Sequence, residues 1–270
     1  MGKNRWFLPV AASIGYLFLY APIISLVVFS FNANRLVTVW SGFSLQSYSD
    51  LWADPQLLPA AWLSLQIAGV SASIALVLGT LCAVALVRFR RFRGKTVLQA
   101  TVSAPLVMPD VITGIALLLL FVTMQGLIGW PAGRGILTII IAHSTFCTAY
   151  VTVVVQSRLA DFDLSLEEAA MDLGASPVRV FFDITLPIIA PALVSGWLLA
   201  FTLSLDDLVI ASFVSGPGSS TLPMIIFSKT RLGVSPEVNA MGTLLVATIA
   251  IGIVGWAWFG ARSAAASRRT

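Results

Sequence analysis

Three carboxylates lie within stretches of the sequence that are otherwise strongly apolar: Asp110, Asp206 and Asp207. Such stretches cross membranes, and a charged side chain at mid-bilayer depth costs about 2.5–3.5 kcal/mol on insertion scales. A carboxylate that remains there faces a water-filled cavity or a residue with which it pairs. Because a carboxylate attracts cations and accepts hydrogen bonds, these residues predict a path for a cationic solute with N–H donors.

The apolar stretch around Asp110 is interrupted by two prolines, Pro105 and Pro109. Proline has no N–H, so the carbonyl oxygens of Thr101 and Pro105 lose their usual helical donors. Irregular backbone at membrane depth is tolerated only where it lines a cavity or is buried in protein. We therefore predict an acceptor-rich site at Asp110, while a purely structural role for its carboxylate, such as capping the broken helix, stays open.

Asp206 and Asp207 are neighbours, and successive residues of a helix point about 100° apart. One is predicted to bind substrate and the other to pair structurally or to reach the outer interface, and the sequence does not decide which. His143 is the single histidine and is predicted to hydrogen-bond across helices rather than to relay protons. Ring faces attract ammonium groups, and the aromatic candidates for such a site are Trp62, Phe121, Trp130, Tyr150, Trp197 and Phe201.

Apolar runs of about 18 or more residues predict membrane-spanning helices, and the sequence contains six of them. They cover residues 8–31, 61–87, 97–124, 136–157, 188–213 and 237–260. Backbone groups in a bilayer must satisfy one another, so these runs predict an all-α fold, a polytopic bundle of six transmembrane helices. Only 10% of the residues are charged, and residues 1–270 are predicted to form one membrane domain.

The distribution of Lys and Arg predicts the orientation of these helices. The two termini, the loop 88–95 and the loop 158–187 hold twelve basic residues, whereas the loops on the other side hold four. By the positive-inside rule, both termini and the segment 163–187 are predicted to be cytoplasmic, in a bacterial inner membrane. The net charge of +4 follows from this asymmetry, with membrane lipid as the neighbour and no nucleic acid implied.

Residues 163–187 form a polar segment between two apolar spans, and its first half predicts a short helix. Ser165 and Glu168 fit a capping box that starts a helix at Leu166. Gly174 follows at the position of a left-handed C-terminal cap. The helix would have an apolar face made of Leu166, Ala169, Ala170 and Leu173. Three charged residues are predicted to remain in water: Glu167, Asp172 and Arg179.

The second half of this segment predicts another helix. Ser176 and Pro177 start it, since proline is well tolerated at the first helical position. Pro187 and Pro191 are predicted to close it and to lead into the fifth span. Segments of this kind either dock on a partner or lie solvated on the lipid headgroups, and spacing alone does not exclude the second interpretation.

The pattern of this segment resembles the cytoplasmic EAA loop of permease subunits in binding-protein-dependent ABC importers. All fixed positions of that motif are present: Glu168, Ala169, Ala170, Gly174, Ile184, Leu186 and Pro187. The resemblance implies that the loop inserts into a groove of an ATP-hydrolysing subunit and carries its closure to the membrane. The chain has no G-x-x-x-x-G-K-[S/T] loop, so ATP and Mg are expected in partner subunits, with no cofactor, metal site or catalytic group here.

Longer strings of the sequence are similar to the polyamine-import permeases, and to those of putrescine importers in particular: residues 104–114, 201–213 and 222–224. The similarity implies an inner-membrane permease subunit, not itself an enzyme, that forms part of the translocation path for putrescine or a related polyamine. The partners it implies are a sister permease subunit, two ATP-binding subunits and a periplasmic polyamine-binding protein.

Three rival interpretations remain. A permease for a neutral or anionic solute would keep the same machine, although three intramembrane carboxylates and no intramembrane Lys or Arg disfavour an anion. An ion-coupled secondary transporter would use Asp110 and His143 for protons and would transport without partners. A membrane scaffold would leave the broken, acid-bearing third span unexplained.

Overall fold

The computed structural model describes residues 7–34, 39–89, 91–231 and 236–267, with the backbone alone over 253–267. This part of the chain forms helices and the loops between them. It contains no β-strand, although an isolated antiparallel bridge joins Asn32 and Phe43. The predicted all-α class is therefore confirmed.

The helices that occupy the predicted spans are α1 (Phe7–Phe29), α3 (Leu57–Arg88), α4 (Lys95–Val107), α5 (Asp110–Ile128), α6 (Ile136–Ala160), α9 (Leu186–Asp206) and α12 (Pro236–Ser267). Shorter helices lie between them: α2 (Gln46–Ala53), α7 (Ser165–Asp172), α8 (Pro177–Val180), α10 (Val209–Val214) and α11 (Leu222–Arg231). A π-helical turn, Phe181–Thr185, joins α8 to α9 without a break.

Five helical segments among the described residues are long and apolar enough to cross a membrane. They are α1, α3, α5, α6 and the continuous run Pro177–Asp206, while the described apolar part of α12, Pro236–Gly252, is shorter. Each of the six predicted spans is therefore helical, but two of them differ from their predicted bounds. The third consists of two helices, α4 and α5, and the fifth ends at Asp206 because the helix breaks before α10.

The chain divides into two compact units. In the first, which combines the described residues before 60 and after 224, α1 and α2 pack against α12. A Cβ on Gly242 would lie 3.1 Å from Leu26, so the absence of a side chain at Gly242 lets α12 approach α1 closely. The expectation of one domain over residues 1–270 stays a prediction.

The second unit, residues 60–224, has α6 at its centre. This helix packs against α4, α5, α9 and α10, and its buried side chains form much of the core. Glycine permits close helix contact, because a Cβ on Gly79 of α3 would lie 2.7 Å from Cγ1 of Val151. Contact through small residues is how helices associate where water supplies no hydrophobic driving force. This core positions the loop that follows α6 and the aspartates at the ends of α5 and α9.

Candidate functional site

The turn that leads into α7 starts at Asp163, two residues before the predicted capping residue. The Oδ1 atom of Asp163 accepts a hydrogen bond from the backbone N–H of Ser165 at 3.0 Å. Ser165 is itself the first helical residue, so the predicted capping box between Ser165 and Glu168 is wrong; the turn starts two residues earlier. The N–H of Ser165 stabilises the ionised carboxylate and holds the pKa of the exposed Asp163 below its usual value.

Gly174 ends α7 in the left-handed conformation that the sequence predicts. Its φ is +87°. The N–H of Ala175 donates to the carbonyl of Ala170 at 3.0 Å, and the N–H of Gly174 donates to that of Met171 at 2.9 Å. These two bonds form a Schellman motif, which satisfies carbonyls that the helix end would otherwise leave without donors. The predicted cap is confirmed, and it directs the chain from α7 into α8.

The second helix of the loop begins as predicted but does not end as predicted. The Oγ atom of Ser176 accepts from the N–H of Arg179 at 3.4 Å, and Pro177 occupies the first turn. From there the chain stays helical into α9, so Pro187 and Pro191 do not close the segment. A π turn bonds five residues back, and this wider spacing accommodates the missing N–H of Pro187. The second half of the loop is therefore an extension of the fifth span.

The motif residues lie on and just below the surface of this loop. Glu168, Ala169, Gly174 and Pro187 are exposed, whereas three are half-buried: Ala170, Ile184 and Leu186. Large apolar side chains of the same segment are exposed too: Leu164, Leu166, Met171, Leu173, Val178 and Phe182. Exposed apolar side chains that lie together mark interaction surfaces.

Glu167 is not in water, contrary to the prediction. Its Oε1 atom accepts hydrogen bonds from Nη2 of Arg88 at 2.6 Å and from Oγ1 of Thr185 at 2.5 Å. The prediction failed because Arg88 lies 79 residues earlier in the chain, and nothing in the local pattern distinguishes Glu167 from Glu168. The other residues predicted to remain in water are exposed: Asp172 and Arg179.

The third predicted span is broken at Met108 and Pro109, and Asp110 is the first residue of α5. Pro105 lies inside α4, so Pro109 alone coincides with the break. The carboxylate of Asp110 is exposed, and in the described part of the chain it forms no bond that caps the helix. Its charge stands in the first turn of α5, where the helix dipole stabilises an anion.

Asp207, rather than Asp206, is the aspartate whose carboxylate is bonded to other groups of the protein. Oδ2 of Asp207 accepts from the N–H of Ala211 at 2.7 Å, and Oδ1 accepts from the N–H of Ile210 at 3.3 Å. Nε2 of His143 lies 3.2 Å from the same Oδ2. Asp207 therefore caps α10 and pairs with α6, whereas Asp206 is exposed at the end of α9. The sequence left open which of the two aspartates pairs structurally, and in the structure it is Asp207.

His143 is buried and bonded at both ring nitrogens. Nδ1 lies 2.7 Å from Oγ of Ser204 on α9, so the predicted hydrogen bond across helices is confirmed. Nε2 lies 3.2 Å from Oδ2 of Asp207, so the ring links Ser204 and Asp207. No sequence signal pointed to Ser204, because the pairing depends on the register between α6 and α9.

Asp110 and Asp206 lie at the start of α5 and at the end of α9, two helices that both pack against α6. Both carboxylates are exposed. Two of the predicted aromatic candidates stack on each other in α9, Trp197 and Phe201, with ring centroids 5.2 Å apart. The second unit therefore offers two carboxylates and a pair of stacked rings to a cation.

These features define a class. Membrane-spanning helices, exposed carboxylates at helix ends and a polar loop with an apolar face are those of a polytopic helical permease. Within the described residues, no group of three or more His, Cys, Asp and Glu side chains could hold a metal ion. The chain belongs to the binding-protein-dependent transport system inner membrane component family, whose profile matches residues 75–264. It is therefore a multi-pass inner-membrane transport subunit and not an enzyme.

Two relatives agree with this membership. The chain is 61% identical over 247 residues to the putrescine transport system permease protein PotI of Escherichia coli K12, covering 91% of this chain and 87% of the relative. It is 44% identical over 244 residues to the spermidine/putrescine transport system permease protein PotC of Haemophilus influenzae, covering 90% and 92%.

The fold is similar to that of a chain from a bacterial ABC transporter involved in the import of the acidic polysaccharide alginate. The TM-score is 0.70 at 18% identity, over 96% of this chain and 97% of that one. A chain of the inward-facing MetNI methionine ABC transporter gives 0.61 at 18% identity, over 77% and 94%. At this identity the likeness concerns the fold alone.

Proposed function

We propose that this chain is the permease subunit of an ATP-driven importer and forms part of the translocation path for putrescine or a related polyamine. The names of relatives 61% and 44% identical to it support this substrate class. Its partners would be a sister permease subunit, two ATP-binding subunits that bind ATP and Mg, and a periplasmic polyamine-binding protein. The distribution of basic residues supports cytoplasmic termini and a cytoplasmic α7–α8 loop.

The observation that carries the substrate assignment is the pair of exposed carboxylates, Asp110 and Asp206, at the ends of two helices that pack against α6. A diamine has an ammonium group at each end, and each ammonium donates up to three hydrogen bonds. Two exposed carboxylates and nearby rings match these ends by charge, hydrogen bonding and cation–π attraction. Asp207 is already bonded on both oxygens, so we assign Asp110 and Asp206 to the path.

In the proposed cycle a loaded binding protein docks on the periplasmic side, and closure of the ATP-binding subunits moves the loop 163–187. Glu168 and Ala169 contact the groove of the ATP-binding subunit, and Gly174 maintains the turn between the two loop helices. The loop then carries the spans between outward-facing and inward-facing states. The path binds the polyamine weakly, because a tight site would trap a substrate that the binding protein has already selected.

Uptake of radiolabelled putrescine by proteoliposomes that contain the complete transporter tests this proposal. We expect Asp110→Asn and Asp206→Asn each to lower the uptake rate about tenfold, the equivalent of one charged hydrogen bond. Asp161→Asn, which neutralises an exposed carboxylate after α6, serves as the charge-matched control and should transport normally. Normal uptake by both path variants would exclude the carboxylate path. Uptake by this chain alone on a proton gradient would indicate a secondary transporter instead.

A further inference from the structure

Within the part of the chain that the structure describes, Glu167 is the residue of α7 whose side chain forms hydrogen bonds with other helices. Its Oε1 atom accepts both the guanidinium N–H of Arg88 and the hydroxyl of Thr185. Arg88 is the last residue of α3, and Thr185 is the last residue of the π turn that leads into α9. A single oxygen atom therefore joins the loop to the second and fifth spans.

The side chains of Arg88, Glu167 and Thr185 form a junction, and the residues around it stabilise it. The side chains of Arg88 and Glu167 are 17% and 16% exposed, and Thr185 is 2% exposed. They line a cavity of about 520 Å³ whose other walls are mainly apolar. The guanidinium also lies 5.0 Å from the ring centroid of Phe162, just after α6. Hydrogen bonds between ionised groups are roughly twice as strong as neutral ones.

Helix α7 has little else that attaches it to the spans. It contains no buried residue, and Glu168 and Ala169 are exposed. Successive helical residues point about 100° apart, so the neighbouring glutamates face different directions. Glu168 is exposed, whereas Glu167 faces Arg88 and Thr185. A displacement of α7 reaches the spans through its two chain ends, through its packing on α8 and the π turn, and through Glu167.

We infer that Glu167 is a positioning residue, which transmits a displacement of α7 to α3 and α9 together. The inference rests on the proposed coupling role of the loop 163–187. When the junction is intact, α7 cannot move without moving Arg88 and Thr185. When it is removed, α7 still moves with the ATP-binding subunit, but α3 and α9 move less. ATP is then hydrolysed with little transport.

The test compares two rates in the same proteoliposomes of the complete transporter: putrescine uptake and ATP hydrolysis stimulated by the loaded binding protein. Glu167→Gln keeps the shape and removes the charge, and Thr185→Val removes one donor without a change of volume. We expect Glu167→Gln to lower the ratio of uptake to hydrolysis at least about fivefold, and Thr185→Val to lower it less. Asp172→Asn, an exposed carboxylate of the same helix, is the matched control and should leave the ratio unchanged.

The outcomes separate this inference from the function on which it rests. An unchanged ratio in Glu167→Gln, or an equal fall in both rates with loss of assembled transporter, would overturn the positioning role. Glu168→Gln should instead lower hydrolysis and uptake together, because it acts at the partner surface. If Glu168→Gln changes neither rate, the coupling role of the loop fails, and the role of Glu167 fails with it.

Discussion

Nε2 of His143 lies 3.2 Å from Oδ2 of Asp207, and both side chains are buried, 1% and 9% exposed. This contact joins the first half of α6 to the point at which the fifth span breaks. It leaves the exposed Asp206 as the free carboxylate of the aspartate pair. The geometry favours a structural role for the histidine over a proton relay, because both of its ring nitrogens already have partners within the protein.

We expect His143→Ala to destabilise the transporter by about 2–3 kcal/mol, because it removes a hydrogen bond to a buried carboxylate. Ser204→Ala removes a neutral partner of the same ring and should cost about 1 kcal/mol. Thermal unfolding of the assembled transporter in detergent measures both. An unchanged melting temperature for His143→Ala, together with a new dependence of uptake on the proton gradient, would indicate a proton relay.

Gly79→Ala should destabilise the contact between α3 and α6. The added Cβ would lie 2.7 Å from Cγ1 of Val151 and 3.1 Å from the carbonyl oxygen of Thr148, and overpacking of this kind costs about 1–3 kcal/mol. Gly69→Ala, in the same helix, is the matched control, because no atom lies within 4 Å of its added Cβ. Thermal unfolding should separate the two variants, and equal stability would contradict the close approach of the helices.

Gly174→Ala should impair transport through the backbone rather than through bulk. A Cβ at Gly174 meets no atom within 4 Å, but the φ of +87° costs a residue other than glycine about 1–2 kcal/mol. Gly174→Asn should be milder, because asparagine tolerates the left-handed region. Uptake and limited proteolysis of the loop measure the effect. If asparagine impairs uptake as much as alanine does, bulk at the partner surface is the cause.

Lys229→Met should destabilise the first unit in a manner that depends little on pH near neutrality. Burial opposes ionisation of Asp54, but hydrogen bonds from Lys229 and from the N–H groups of Gln56 and Leu57 outweigh it, so the pKa of Asp54 is lowered. A lowered pKa contributes stability above the usual value of 3.8 and loses it as pH falls through the folded-state value. The melting-temperature difference from wild type should therefore be constant from about pH 5 to 8 and narrow only in acid. A difference that changes within the neutral range would show that another group titrates.

Several elements were predictable because their causes are local. The six spans follow from the free energy of placing apolar side chains and self-satisfied backbone in a bilayer. Gly174, Ser176 and Pro177 act within their own turns, and the structure has them as predicted. The capping box at Ser165 was wrong within one turn, because Asp163 is an equally good acceptor two residues earlier.

The sequence by itself therefore determined the class, the spans, the loop motif and the presence of carboxylates within the predicted spans. Only the tertiary structure decided which carboxylates are free. Glu167 is paired because Arg88 ends the second span beside it, and Asp207 is paired because α6 brings His143 to the end of α9. Such pairings depend on the register of helices far apart in the chain, and a local pattern of residues does not predict that register.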